Sequence, residues 1–416
     1  MERSPAVSVS SPTVSGGPVV FDPYSDDYFN SPFETYRRMR DEAPLYYSET
    51  YDFWALTRYD DVSAAIRDHE TFSSAKGVTL DMVKAAANGD SGSALGKIII
   101  SLDPPEHERM RKLVNRVFTP RAVIALESLV KETIDRYVSQ LDPSSFDAVA
   151  DFAALFPVEV ITSMLGVPAE DRQQLRLWLD KGLERDEGIG MSAESMDAVM
   201  KSAAYYYDLI QQRRAKPQDD MISGLIEAEI IEDGEVRRLD DIEITGFCTL
   251  LGGAGAETVT KLVGNAVVVF ADNPDQWQKL RESRDKIPAA FEELLRYEGP
   301  SQYQIRTTTR DVTLHGKTIP AGDAVILING AASRDERFFP DADRFDIDRE
   351  RKVGYNLNFG YGIHSCLGAA LARMEGRMAL ETLLDMIPRY EIDRSGLQRV
   401  HMTNVLGWCN VPVHVR

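Results

Sequence analysis

A chain of 416 residues that is 43% hydrophobic and 27% charged can bury a large core, which excludes a disulfide-stapled miniprotein and bulk disorder. Its 47 Lys and Arg against 66 Asp and Glu leave a formal charge of −19, the wrong sign for an electrostatic nucleic-acid binder. Three widely spaced cysteines, Cys248, Cys366 and Cys409, make no disulfide framework and suit a reducing cytoplasm, where one of them can be a ligand or a nucleophile.

Residues 1–20 are rich in Ser, Pro, Gly and Val without an apolar run, so the sequence predicts a flexible N-terminal tail and a single domain over 21–416. Helical periodicity at 32–40 and 60–68 brackets an alternating, aromatic stretch at 45–58 that reads as a pair of strands. Residues 73–97 carry glycines at 77, 89, 92 and 96 and read as a long loop with one short helix. From Pro105 the pattern is helical, through 123–140, 152–165, 170–182, 196–214, 221–229 and 240–271, and again at 287–297. Period-two runs at 305–327 predict a second strand cluster, a glycine-rich loop at 354–362 leads into a helix at 367–386, and the tail 390–416 looks stranded. The fold class expected is mainly α with small β-sheets (α+β). The apolar stretch 247–270 is broken by Gly252, Gly253, Gly255, Glu257 and Lys261, which predicts a soluble protein with no membrane partner.

The strongest chemical signal is the run Phe359-Gly360-Tyr361-Gly362-Ile363-His364-Ser365-Cys366-Leu367-Gly368. Gly360 and Gly362 open backbone conformations closed to other residues, and Cys366 sits at the mouth of a predicted helix, two features that favour a thiolate. Taken alone, Cys366 also fits a small buried hydrophobe beside a turn. Zinc is a poor reading, because His364 and Cys366 supply two ligands and no CxxC pair completes four.

This loop fills every fixed position of Phe-x-x-Gly-x-(His/Arg)-x-Cys-x-Gly, and so resembles the heme-ligand loop of the cytochrome P450 family. The resemblance implies a single-domain cytochrome P450 fold carrying heme b (iron protoporphyrin IX), with Cys366 as the thiolate on iron, Phe359 and Gly360 packed around that ligand, and His364 reaching a propionate. Other motifs follow in the family's order. Glu293-Leu294-Leu295-Arg296, by itself an ordinary i,i+3 helix ion pair, matches the ExxR helix, and Arg344 is expected to complete its triad. The stretch 250–260, which by itself also suits close helix packing with Glu257 turned to solvent, resembles the oxygen-binding helix, with Ala254 beside the cofactor and Glu257 and Thr258 as the catalytic acid and alcohol. His107 and Arg111, four residues apart after Pro104-Pro105, and Arg306 match the family's propionate-binding positions.

What the resemblance implies is a heme-thiolate monooxygenase that uses O2 to hydroxylate a small hydrophobic substrate such as a terpenoid, steroid or fatty-acyl compound. No flavin, nicotinamide or iron–sulfur motif occurs in the chain, so electrons are expected from a ferredoxin and ferredoxin reductase, docking on Arg109, Lys112, Arg116, Lys352, Arg373 and Arg377. Met82, Val83, Leu95, Ile98, Leu250 and Val405 are expected to form the substrate chamber, and of Tyr205, Tyr206 and Tyr207 not all can share one helix face. A cytoplasmic monomer is expected. A heme-thiolate isomerase or dehydratase and a noncatalytic heme sensor are the competing readings; neither needs a proton relay, which Glu257 and Thr258 would provide.

Overall fold

The computed structural model describes residues 17–89, 98–115, 117–186, 190–232, 234–351 and 355–416. Most of the expected tail, residues 1–16, lies outside this set; Val20 is exposed, and Phe21 is the first large side chain buried in the core.

The helix Asp241–Asp272 is the axis of the molecule. Its start is fixed by a capping box: Asp240 accepts from the Glu243 N–H at 2.8 Å while Glu243 accepts from the Asp240 N–H at 2.9 Å. Its end is set by Asn273, with Pro274 opening the next helix, Pro274–Glu282. Across 32 residues it is apolar nearly all round, because helices Phe156–Leu165, Arg172–Leu183, Ala193–Ala215, Ile287–Glu298 and Ala369–Met386 enclose it. Two segments, Ala148–Leu165 and Asp241–Asp272, are long and apolar enough to cross a membrane, but both are mostly buried within the fold, and packing accounts for their character.

The two expected strand clusters form one sheet. Its five strands run in the order Leu45–Ser48, Phe53–Leu56, Ala324–Leu327, Gln304–Thr308, Phe72–Ser73. Phe53–Leu56 pairs parallel with Ala324–Leu327, with Trp54 beside Val325, and the other pairs are antiparallel. Short β-ladders at the C-terminus join Tyr390–Ile392 and Pro412–Val415 to Ser145–Asp147. Among the described residues of the loop expected at 73–97 there is one helix, Leu80–Ala87, capped by Thr79; residues 90–97 lie outside the described set. The single helix expected at 123–140 is two, Pro120–Ala125 and Glu127–Val138, and residues 229–238 form the hairpin Glu229–Glu232/Glu235–Arg238.

The ExxR pair is a buried cluster. The Arg296 guanidinium donates to both Glu293 carboxylate oxygens, at 2.8 and 2.7 Å, and to the carbonyls of Ser333, Ala342 and Arg344. Glu293 also accepts from the Asp346 N–H, the Tyr355 hydroxyl and Arg349 Nε. The expectation for Arg344 is therefore corrected: its side chain is 65% exposed and pairs with Asp346, only its carbonyl joins the cluster, and Arg349, 11% exposed, brings the second guanidinium to Glu293. The turn after Asp341 carries residue 344 outward and returns the chain inward five residues later.

Removing one member of a buried, fully bonded ion pair strands its partner's charge. Arg296→Ala is expected to lower unfolding free energy in urea by about 3–5 kcal/mol, and Arg344→Ala to change it by less than about 0.5 kcal/mol. Equal losses would restore Arg344 to the triad.

Candidate active site

The loop from Phe359 to Gly368 is shaped by two glycines with φ of +65° and +67° at 360 and 362, a region that strains any residue with a Cβ. The Cys366 N–H closes the loop on the Phe359 carbonyl at 2.7 Å, and helix Ala369–Met386 starts immediately after. Arg373 on that helix lies over the Phe359 ring at 4.5 Å. The Cys366 side chain opens into an internal cavity rather than onto the outer surface. Burial pushes its thiol up, while the Gly368 N–H and the charges of Arg111 and Arg373 pull it part of the way back. A thiol poised in this way stays protonated until a cation such as iron takes the sulfur as thiolate.

The cavity holds about 920 Å³ of unfilled space, part of it open to solvent. Ala254 and Thr258 line it from the central helix, and Thr258 Oγ1 donates to the Ala254 carbonyl at 3.0 Å. Its other lining is largely apolar, including Ile99, Ile100, Phe247 and Leu250. Of the six residues expected to form a substrate chamber, Leu250 alone is in this lining; Val83 and Val405 pack in separate cores, and Leu95 lies outside the described residues. Tyr206 is core, Tyr205 donates to Asp171 at 2.7 Å, and Tyr207 is exposed.

Two imidazoles and two guanidiniums gather beside the cysteine. His107, 2% exposed, has both ring nitrogens without a partner and meets the His364 ring edge-on at 4.4 Å. His364 Nε2 bonds the Ser74 hydroxyl at 3.2 Å, and burial together with Arg306, His107 and Arg111 pushes its pKa down to about 3. Arg306 is buried on strand Gln304–Thr308, with only the Ile305 carbonyl and the Gln304 amide oxygen as acceptors, and burial lowers its pKa to about 10 against the partly offsetting charge of Asp103. Burial also lowers Arg111. Among the described residues none of these four has a carboxylate ion-pair partner.

Three of the expected site residues stand outside the cavity lining. Arg306 and Gly360 lie behind it, and Glu257 points away, buried against Lys261 Nζ at 3.0 Å. Sequence reasoning missed Glu375, which lines the cavity from helix Ala369–Met386 with one oxygen unpartnered; burial alone raises its pKa well above the carboxyl range. An acid on the apolar face of that helix was its only signal. Ser74, which positions His364, gave none.

The donor set fits heme. No group of three or more His, Cys, Asp or Glu among the described residues could hold a metal ion, so an iron here must bring most of its own ligands. A flat apolar macrocycle suits the lining, one sulfur faces in, and His107 with both ring nitrogens unpartnered, together with Arg111 and Arg306, which have no carboxylate partner among the described residues, suit two carboxylates.

Comparison with known proteins agrees. The family model "Cytochrome P450" matches residues 190–393. Cytochrome P450 123 of Mycobacterium tuberculosis is 42% identical over 96% of this chain and 97% of its own, and cytochrome P450 130 of the same organism is 38% identical over 88% and 90%. The crystal structure of CYP109E1 from Bacillus megaterium in complex with testosterone superposes with a TM-score of 0.83 at 33% identity, covering 94% of this chain and 99% of that one. P450BioI in complex with acyl carrier protein bearing hexadec-9Z-enoic acid gives 0.82 at 30%, covering 94% and 100%. The chain belongs to the cytochrome P450 family. It has the family's largely helical fold and is a heme b monooxygenase, an oxidoreductase with O2 as cosubstrate.

A buried guanidinium with no carboxylate partner among the described residues predicts a specific defect. Losing one charge-assisted hydrogen bond of roughly 1.5–3 kcal/mol, Arg306→Leu is expected to release heme to apomyoglobin about ten- to a hundredfold faster than the parent protein. An unchanged transfer rate would take Arg306 out of cofactor binding.

Proposed function

We propose that this monooxygenase hydroxylates a small hydrophobic substrate, such as a terpenoid, steroid or fatty-acyl compound, with Cys366 as the thiolate that would hold the heme iron and electrons from a ferredoxin and its reductase. It acts as a monomer in the cytoplasm. The observation that carries this reading is that the Cys366 thiol and the Thr258 hydroxyl open into one apolar cavity.

When bound, heme supplies the redox chemistry that activates O2. The chain does the rest. Cys366 is held by its own N–H bond to Phe359 and by the Gly368 N–H, so the sulfur is oriented before any metal arrives. His107, Arg111, Arg306 and His364 would take the two propionates. Ile99, Ile100 and Leu250 keep water scarce around a bound substrate. Thr258 Oγ1 spends its proton on the Ala254 carbonyl, which leaves its lone pairs facing the cavity as acceptors. It donates there only when that bond opens, and Glu257, next along the helix, would replace the proton.

Testosterone in one relative and a C16 acyl chain in another are the chemical types the apolar lining suits. The basic face expected for ferredoxin is already countered within the molecule: Arg109 pairs with Glu232, Arg373 with Glu292, and Arg377 with Glu127 and Glu381. Such exposed pairs contribute little, so an acidic partner can exchange for them. Lys112 has no acidic partner among the described residues, and Arg116 and Lys352 lie outside them.

Two measurements test the reading. The reduced protein under carbon monoxide is expected to show the strongly red-displaced Soret band of a thiolate ligand and Cys366→Ser to lose it; a parent protein without the band overturns the ligation. Screening steroids, terpenoids and fatty acids for a Soret shift of the ferric protein identifies a bound probe. With that probe, Thr258→Ala is expected to keep binding while diverting most NADPH electrons to hydrogen peroxide, and turnover coupled as in the parent would remove the relay. Product formed without NADPH would favour an isomerase or dehydratase.

A further inference from the structure

Of the four residues suited to the propionates, His364 alone is carried on the cysteine loop, at the end of the short helical turn Gly362–His364. Its ring is held from outside that loop. Ser74, 1% exposed, meets His364 Nε2 through its hydroxyl at 3.2 Å, and among the described residues that hydroxyl has no other partner. Ser74 is itself fixed through its backbone: its N–H donates to Asp103 Oδ1 at 2.9 Å, and its carbonyl accepts from the Gly77 N–H at 2.9 Å. The second Asp103 oxygen accepts from the Ser73 hydroxyl, which in turn takes the Ala75 N–H at 3.0 Å.

The backbone of Asp103 adds a further tie. Its carbonyl accepts from the His107 N–H at 3.0 Å, at the start of helix Glu106–Val114. Strand Phe72–Ser73 pairs with the strand of Arg306, Ser73 lying beside Thr307. One half-buried aspartate thus joins the helix of His107, the strand beside Arg306 and, through Ser74, the ring of His364.

A carboxylate only accepts hydrogen bonds, so it can hold an imidazole only through a nitrogen that carries a proton. Ser74 decides which nitrogen that is. Its hydroxyl, having no other acceptor, donates to Nε2, and the ring proton then lies on Nδ1, which bonds no described residue. We propose that Asp103 and Ser74 are positioning residues for the cofactor: Asp103 holds Ser74 so that its hydroxyl presets His364 with the proton-bearing Nδ1 free for a propionate. The inference rests on His364 taking a propionate, and adds how its ring is oriented beforehand.

The charge of Asp103 is a separate influence. Burial lowers Arg306 and, with Arg111, His107, and the Asp103 carboxylate offsets part of both shifts. Substitution separates charge from hydrogen bonding. Asp103→Asn loses the charge but can keep both contacts, its amide oxygen accepting from the Ser74 N–H and its NH2 donating to the Ser73 hydroxyl. Asp103→Ala loses both and leaves a buried N–H unpaired. Ser74→Ala removes the hydroxyl alone.

In the reduced carbon monoxide holoprotein with isotope-labelled histidine nitrogens, NMR is expected to find the His364 proton on Nδ1; a proton on Nε2 would overturn the proposal. Ser74→Ala and Asp103→Ala are expected to pass heme to apomyoglobin about three- to tenfold faster than the parent. Both should also shift the propionate bending band in the resonance Raman spectrum, which a general loss of stability leaves in place. Asp103→Asn is expected to keep the parent's rate and band. If it matches Asp103→Ala instead, charge rather than the hydrogen-bonded chain is at work and the proposal is wrong. His364→Phe tests the reading beneath. Faster transfer in His364→Phe with none in Ser74→Ala removes the positioning chain and leaves the propionate contact standing. A parent-like rate in His364→Phe removes that contact, and this inference falls with it.

Discussion

The constraint that organises this molecule is buried positive charge without negative charge to match. His107, Arg111 and His364 line the cavity, Arg306 lies near enough to His364 to depress its pKa, and no described carboxylate pairs with any of the four. Proteins rarely bury a guanidinium in this way, because desolvation costs far more than a carbonyl acceptor returns. The low pKa of His364 expresses the same excess: neighbouring cations and burial together keep the ring neutral. A ligand carrying two carboxylates removes the penalty, and heme b, the cofactor of this family, is such a ligand.

The scaffold around these residues is built so that it cannot relax. Arg296 and Glu293 tie helix Ile287–Glu298 to the segment 333–349 that runs toward the cysteine loop, through bonds that are buried or nearly so. Arg306 is held in a strand whose neighbours are Phe72–Ser73 and Ala324–Leu327, so the sheet fixes this guanidinium while the loop before helix Ala369–Met386 fixes the sulfur. The two halves of the site thus belong to different layers, and their separation is set by how those layers pack.

The placement of the motif residues was readable in the sequence wherever it depends on local backbone. Gly360, Gly362 and Cys366 act within one loop, Glu293 with Arg296 and His107 with Arg111 within single helix turns, and spacing alone places them. What failed was whatever depended on a turn's direction or on a partner distant in the chain. Arg344 and Arg349 are equally near Glu293 in sequence terms, and only the outward turn at 341–344 decides between them. The parallel pairing of Trp54 with Val325 spans some 270 positions and leaves no local periodicity to read. The chamber residues Val83 and Val405 are apolar enough, but apolarity does not say which core a side chain enters.

The acid of the central helix shows why motif position and chemical position differ. Successive helix residues point about 100° apart, so a cavity-facing Thr258 turns Glu257 toward the flanking helix. The side chain there needs partners, and this chain supplies Lys261 from its own helix and Asp180 from the next. That arrangement keeps the Glu257 carboxyl out of the cavity, and Thr258 is the one polar side chain that the central helix gives to the lining.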